Sequence, residues 1–151
     1  GISMVKTTVI NAELCRAMVE ARHGDAIVLC DGNMPIPPKC SIIDLSLTRG
    51  VPTMMQVMKA VLNDMVAERY DLFSLMPEYN PGMAKAIQSL LNPLPGGTVD
   101  QRELTEIMLR AKAVVRTGDM GSCCSMVLYS ASGMEKYVER FTLSFSEKQE
   151  E

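Results

Sequence analysis

Tryptophan is absent from this 151-residue chain, histidine occurs once, and phenylalanine three times. With so little aromatic bulk, the interior must be filled by aliphatic residues, and 13 methionines supply part of that volume. No apolar run approaches the roughly 20 residues needed to span a bilayer, and the N-terminus carries no signal-peptide pattern. The leading Gly1-Ile2-Ser3 reads as a cloning scar and Met4 as the native start, which predicts a cytoplasmic protein. There is no Lys/Arg cluster, and the net charge is −3, so neither nucleic acid nor a membrane is an expected partner. The chain lacks G-x-G-x-x-G, the P-loop pattern and G-x-S-x-G, and so indicates neither a dinucleotide, a triphosphate nor a serine hydrolase. The cysteines at 15, 30, 40, 123 and 124 are odd in number and contain no C-x-x-C. They read as reduced thiols rather than a disulfide framework or a zinc site.

What is present is a chain with 47% hydrophobic and 22% charged residues, enough apolar material for one buried core. Asn11 caps a first helix whose apolar face is Leu14, Ala17, Met18 and Ala21, with Gly24 at its stop. AIVLCD (26–31) is a continuously apolar strand of the kind buried on both faces. CSIIDLSL (40–47), YDLFSL (70–75), AVVRT (113–117) and SMVLYSA (125–131) read as further strands. Thr53 caps a helix with Met54, Val57, Met58, Val61, Leu62 and Met65 on one stripe, a core or subunit-interface face. Asn80-Pro81 opens a helix to about Leu91, NPLPGG (92–97) is a loop, and Asp100 with Glu103 forms a capping box. Helices alternating with short apolar strands predict a three-layer α/β/α domain with a largely parallel central sheet, and in such sheets ligands bind at the carboxyl ends of strands.

His23 stands at the foot of the strand that ends at Asp31. At a helix C-terminus the dipole favours an imidazolium, and a side chain whose reference pKa is near 6.5 can donate or accept a proton at neutral pH. By spacing alone, an exposed helix-end residue is the better reading. Asp25 is placed to orient the ring as a supporting carboxylate. Asp44 in an apolar strand is either bonded to a loop or turned to the site. Arg49 either reaches a pocket or is solvated, while Arg116 and Asp119 flank a turn and read as structural or interfacial rather than catalytic. Apolar helix faces beyond what a small monomer needs predict self-association.

Read together, HGDAIVLCDGNMPIP (23–37), IDLSLTRGVPTMMQVMKAVLNDM (43–65), NPGMAKAIQSLL (80–91) and AVVRTGD (113–119), with TVIN (8–11) ahead, resemble the D-ribose pyranase / L-fucose mutarotase family, nearer its ribose pyranase branch. The resemblance covers residues 4–131 and leaves 132–151 as an amphipathic, then charged, extension. It implies a cofactor-free isomerase, without a metal, that interconverts ring forms of a free monosaccharide such as ribose or fucose. It also implies ring-shaped homo-oligomers, often decamers, with sites at subunit boundaries. His23 would be the proton donor and Asp31 a ligand of a sugar hydroxyl.

The resemblance also calls for a Tyr-x-Asn pair on the last strand and a second histidine. Cys123 and Ser125 stand at the first two places and Gln101 at the third, so Gln101, Cys123, Cys124 and Ser125 complete the expected sugar contacts. Tyr129 is four residues of strand, roughly 13 Å, from Cys123 and cannot replace the missing phenol. Two other readings remain open: a non-catalytic sugar-binding or interaction protein on the same scaffold, and a redox-active or metal-binding Cys123-Cys124 pair.

Overall fold

The Asn11 side chain accepts the Leu14 amide at 2.9 Å and starts α1 (Ala12–Glu20), which buries Leu14, Ala17 and Met18. In this computed structural model, which describes residues 6–133, α1 ends at Glu20 and a turn over Arg22–Asp25 follows, with Gly24 at φ +83°. His23 therefore sits three residues beyond the helix instead of at its end, outside the last turn where the dipole acts. Most of the extension after Ala131 lies outside the described residues.

β1 (Ala26–Cys30) and a shorter β2 (Ile42–Asp44) lead to α2 (Met54–Asp64). Thr53 and Gln56 close a reciprocal capping box there, and Met54, Val57, Met58, Val61 and Leu62 are buried. The methionine stripe is core, since Met54 and Met58 are fully covered within one chain. Each such side chain contributes about 1.5–3 kcal/mol through burial. β3 (Ala67–Phe73), α3 (Met76–Tyr79), α4 (Pro81–Leu91), β4 (Gly96–Val99), α5 (Gln101–Arg110), β5 (Ala113–Arg116) and β6 (Met126–Ser130) complete the described chain. The Asn80 side chain does not cap α4; its amide donates to Ser122 O at 3.0 Å and ties the helix start to the loop before β6.

The six strands form one sheet in the order β2-β5-β1-β6-β3-β4. Five share one direction and β6 alone runs against its neighbours β1 and β3, so the largely parallel three-layer arrangement holds. Ile27, Leu29, Val115, Met126 and Leu128 join the core under α1, α2 and α4. Val28, Cys30, Val114, Val127 and Tyr129 face α5. β1 has no exposed face, which explains its unbroken apolar run.

β4 occupies part of the stretch expected to be a loop. Glycine has little intrinsic strand preference, but here its lack of a side chain is what the neighbouring strand requires. The Tyr70 ring lies across Gly96, and a Cβ at Gly97 would come within 2.6 Å of Asp71 Oδ1. β3 is also irregular: the pairings Ala67 with Ser130 and Arg69 with Tyr129 are consecutive, so Glu68 is an extra residue without a partner on β6.

At the carboxyl edge the turn 48–51 is clamped to the segment after β5. Gly50 N donates to Gly118 O (2.6 Å) and Gly118 N to Pro52 O (2.8 Å). A Cβ on Gly118 would overlap the backbone carbonyl of Val51. Gly118→Ala is expected to cost about 1–3 kcal/mol of stability, read as a lowered urea midpoint. An unchanged midpoint would show that the clamp opens without penalty.

Candidate functional site

His23 and Asp31 lie at opposite ends of β1, as their places in the sequence lead one to expect. A strand rises about 3.3 Å per residue, so Ala26–Cys30 alone separates its ends by roughly 13 Å. The backbones that carry His23 and Asp31 are therefore at least a strand length apart within one chain.

Asp31, at the carboxyl end, is only 6% exposed. Its Oδ1 accepts the Asn33 amide (2.9 Å), and its Oδ2 accepts the Ser125 hydroxyl (3.1 Å), whose oxygen accepts the Asp31 amide in return (3.1 Å). Ser125 is therefore a brace on Asp31, its one proton already donated. Thr117, from the end of β5, donates its hydroxyl to Cys30 O (2.8 Å), and Gly32 N donates to Asp119 O (2.7 Å). Asp119 accepts the Met54 amide (2.9 Å) and the Gly121 amide (2.8 Å), seating the start of α2 and the turn before β6. Arg116 donates to the carbonyls of Gly32 (3.0 Å) and Met34 (2.9 Å). Both therefore have structural roles, one of the two alternatives their turn position leaves open. Beside this edge a cleft of about 190 Å³ is lined by Gly32, Leu47, Arg49, Gly118 and Met120, so Arg49 does border a pocket. Leu47 is 81% exposed there, the most exposed large apolar side chain among the described residues.

The remaining expected contacts divide between this edge and the core. Cys123, half-buried at φ +54°, packs toward α5, whereas the Cys124 side chain is fully buried in the opposite core. The neighbouring thiols thus face opposite sides of the sheet, and among the described residues no group of His, Cys, Asp and Glu could hold a metal. The structure gives the metal or redox pair no support. Gln101 opens α5 on an exposed face and bonds Thr105 Oγ1 at 3.4 Å. Asp44 is bonded to a loop, accepting the Ser46 amide (2.9 Å) and hydroxyl, and these bonds hold its carboxyl below the usual range.

At the other end of β1, the His23 side chain is 62% exposed and its Nε2 lies 3.0 Å from Glu68 Oε1. Asp25, expected to orient the ring, instead accepts the Arg22 amide (2.8 Å) and lies 3.9 Å from Lys112 Nζ. Glu68 is the residue that reading the sequence missed. Its one signal is apolar Ala67 and Tyr70 three positions apart, which breaks strand alternation and marks a bulge. Tyr129 is indeed committed elsewhere: its hydroxyl donates to Asp71 (2.8 Å), and the Arg69 guanidinium lies 3.5 Å above its ring.

A mixed six-stranded sheet whose carboxyl edge carries a braced, buried carboxylate defines an α/β protein with a polar site at the usual ligand-binding edge. Residues 4–132 match the model of the RbsD / FucU transport protein family. A D-ribose pyranase of Laribacter hongkongensis is 36% identical over 127 residues, 84% of this chain and 97% of that protein. One from Haemophilus influenzae is 33% identical over 135 residues, with the same coverage of each. The structure of Bacillus subtilis RbsD complexed with D-ribose superimposes with a TM-score of 0.80 at 26% identity, covering 85% of this chain and 98% of that one. The fucose mutarotase of Streptococcus pneumoniae, solved with L-fucose, shares the fold with a TM-score of 0.70 at 17% identity, over 86% and 98% of the two chains. The chain belongs to the RbsD / FucU family.

Burial pushes the Cys30 thiol from 9.0 up to about 12, helped by the charge of Asp31. Burial, then the hydrogen bond to Asp71, pushes Tyr129 from 10.0 up to about 12. An unfolded chain would lose both protons earlier, so their contribution to stability is complete below about pH 9 and is lost as pH rises through 12. Urea midpoints are expected to fall over that range, with Tyr129→Phe flattening the part above pH 10. Parallel losses in both proteins would remove Tyr129 from the account.

Proposed function

We propose that this chain is a sugar isomerase that interconverts ring forms of a free aldose, ribose or a close relative, at sites built between copies. The observation that carries the reading is the buried Asp31, held by Ser125 and the Asn33 amide at the carboxyl edge of β1, in a chain 36% identical to a D-ribose pyranase. A carboxylate oxygen has lone pairs beyond these bonds, so Asp31 can accept a sugar hydroxyl while its own geometry stays fixed. Cys123 and Gln101 would border the same sugar.

Ring opening requires a proton delivered to the ring oxygen as another leaves the anomeric hydroxyl. The C–O bond breaks to a free aldehyde, the chain rotates, and a different hydroxyl closes on the carbonyl with the reverse proton transfers. No electrons change hands, so the chemistry calls for an acid/base group and positioning, and for no redox cofactor. His23 supplies the acid/base group, but from a second copy, because its own Asp31 is a strand-length away. A contact that joins the His23 end of one copy to the Asp31 end of another is head-to-tail, the kind that closes as a ring when its rotation is a whole fraction of a turn. Exposed Leu47 and Met120 at the carboxyl edge give that contact apolar surface. The expected setting is a cytoplasmic homo-oligomer, a decamer by family resemblance, acting on free sugar.

Exchange NMR on ribose and fucose tests both halves of this reading. His23→Ala and Asp31→Asn are each expected to abolish acceleration, and co-assembling the two variants to restore part of it, since mixed junctions pair an intact His23 with an intact Asp31. Single variants without activity and no recovery on mixing would refute the shared site. A folded wild type that binds a sugar but accelerates no exchange would leave the binding role.

A further inference from the structure

Glu68 owes its position to the irregularity in β3. Regular alternation would put residues 67, 69 and 71 on one face, yet Ala67 and Tyr70 both enter the core under α1, α2 and α4. The step from Ala67–Ser130 to Arg69–Tyr129 pairing leaves Glu68 as the extra residue, and such bulges re-aim a side chain. Ser130 joins the two segments concerned. Gly24 N donates to Ser130 O (2.9 Å) and Ser130 N to Asp25 O (2.9 Å), while Ala131 N donates to Val66 O (2.9 Å). The turn that carries His23 and the start of the bulge that carries Glu68 are thus fastened to opposite sides of the Ser130–Ala131 step. The next residue on β3 is drawn away: Arg69 stacks on Tyr129 and lies 3.5 Å from Asp71, and does not neutralise Glu68. Both Glu68 oxygens then converge on one ring nitrogen, at 3.0 and 3.3 Å.

We infer that Glu68 is the positioning residue of His23: it holds the proton of the neutral ring on Nε2 and leaves Nδ1 as the nitrogen that trades protons with the sugar. This rests on His23 being the acid/base group, as proposed above. The logic is that of a carboxylate fixing the tautomer and orientation of a working imidazole through the nitrogen that does no chemistry. A histidine that is 62% exposed has few other contacts to fix its ring, so losing the carboxylate should leave the ring free to rotate and to exchange tautomers.

The chain's single histidine makes the test direct, because one residue gives every imidazole ¹⁵N resonance. In the full-length wild type the neutral ring is expected as one tautomer, protonated on Nε2, and in Glu68→Ala as a mixture of two. In sugar exchange, Glu68→Ala should lower kcat by on the order of tenfold or more with little change in KM. Glu68→Gln, which keeps a carbonyl acceptor, should recover much of that loss. The inference is overturned if Glu68→Ala retains the wild-type tautomer and kcat while His23→Ala abolishes exchange. If His23→Ala itself leaves exchange intact, the assignment of His23 fails, and this inference falls with it.

Discussion

The insertion of β6 against the direction of every other strand is the constraint on which the site depends. A purely parallel sheet would begin each strand at one edge and end it at the other. Because β6 runs backwards between β1 and β3, its first residues arrive where β1 ends and its last where β1 begins. Ser125 thereby reaches Asp31, and Ser130 reaches the turn around His23. One strand braces both ends of another, and its pairing with β3 carries the bulge at Glu68. Since β1 and β6 are buried along their whole length, neither end can shift without disturbing the packing on both faces.

Much of this architecture is legible in the sequence where local chemistry and burial agree. Thr53 with Gln56 and Asp100 with Glu103 signal helix starts that the fold uses unchanged. The unbroken apolar run of β1 signals a strand covered on both faces. Legibility fails where a residue's role is set by a neighbour distant in sequence. Gly96 and Gly97 look like loop residues because nothing local shows that Tyr70 and Asp71 will lie over them. Asn80 looks like a helix cap, yet its amide is taken by Ser122, 42 positions away.

The site shows the same division at higher stakes. Asp31 at the carboxyl end of β1 follows from pattern alone, because such ends collect ligands. His23 and Asp31 are eight positions apart, and the extended strand between them sets the two at opposite edges of the sheet, as the sequence already indicates. The Ser125 hydroxyl seems available to a ligand until the fold assigns its proton to Asp31. Asp25 seems the natural partner of His23 by adjacency, but a tight turn bends it back to the Arg22 amide. The carboxylate that meets the ring comes from 45 positions away, on a strand whose irregularity shows only as a broken alternation.

The contrast between the two ends is itself informative about how such a site would work. Asp31 is nearly covered, its oxygens fixed by an amide and a hydroxyl, as suits a group that must hold one hydroxyl while a ring opens and turns. His23 is exposed and has a carboxylate on one nitrogen, as suits a group that must take up and release protons. Within one chain, burying both near each other would set a desolvated carboxylate beside an imidazole, where the pair would bind each other in preference to a neutral sugar. With the two a strand apart, that pairing does not arise within one subunit, and at the proposed shared site they would meet only across a junction between copies. Each subunit would then carry two preorganised half-sites, so that assembly, rather than a moving lid, completes the catalytic constellation.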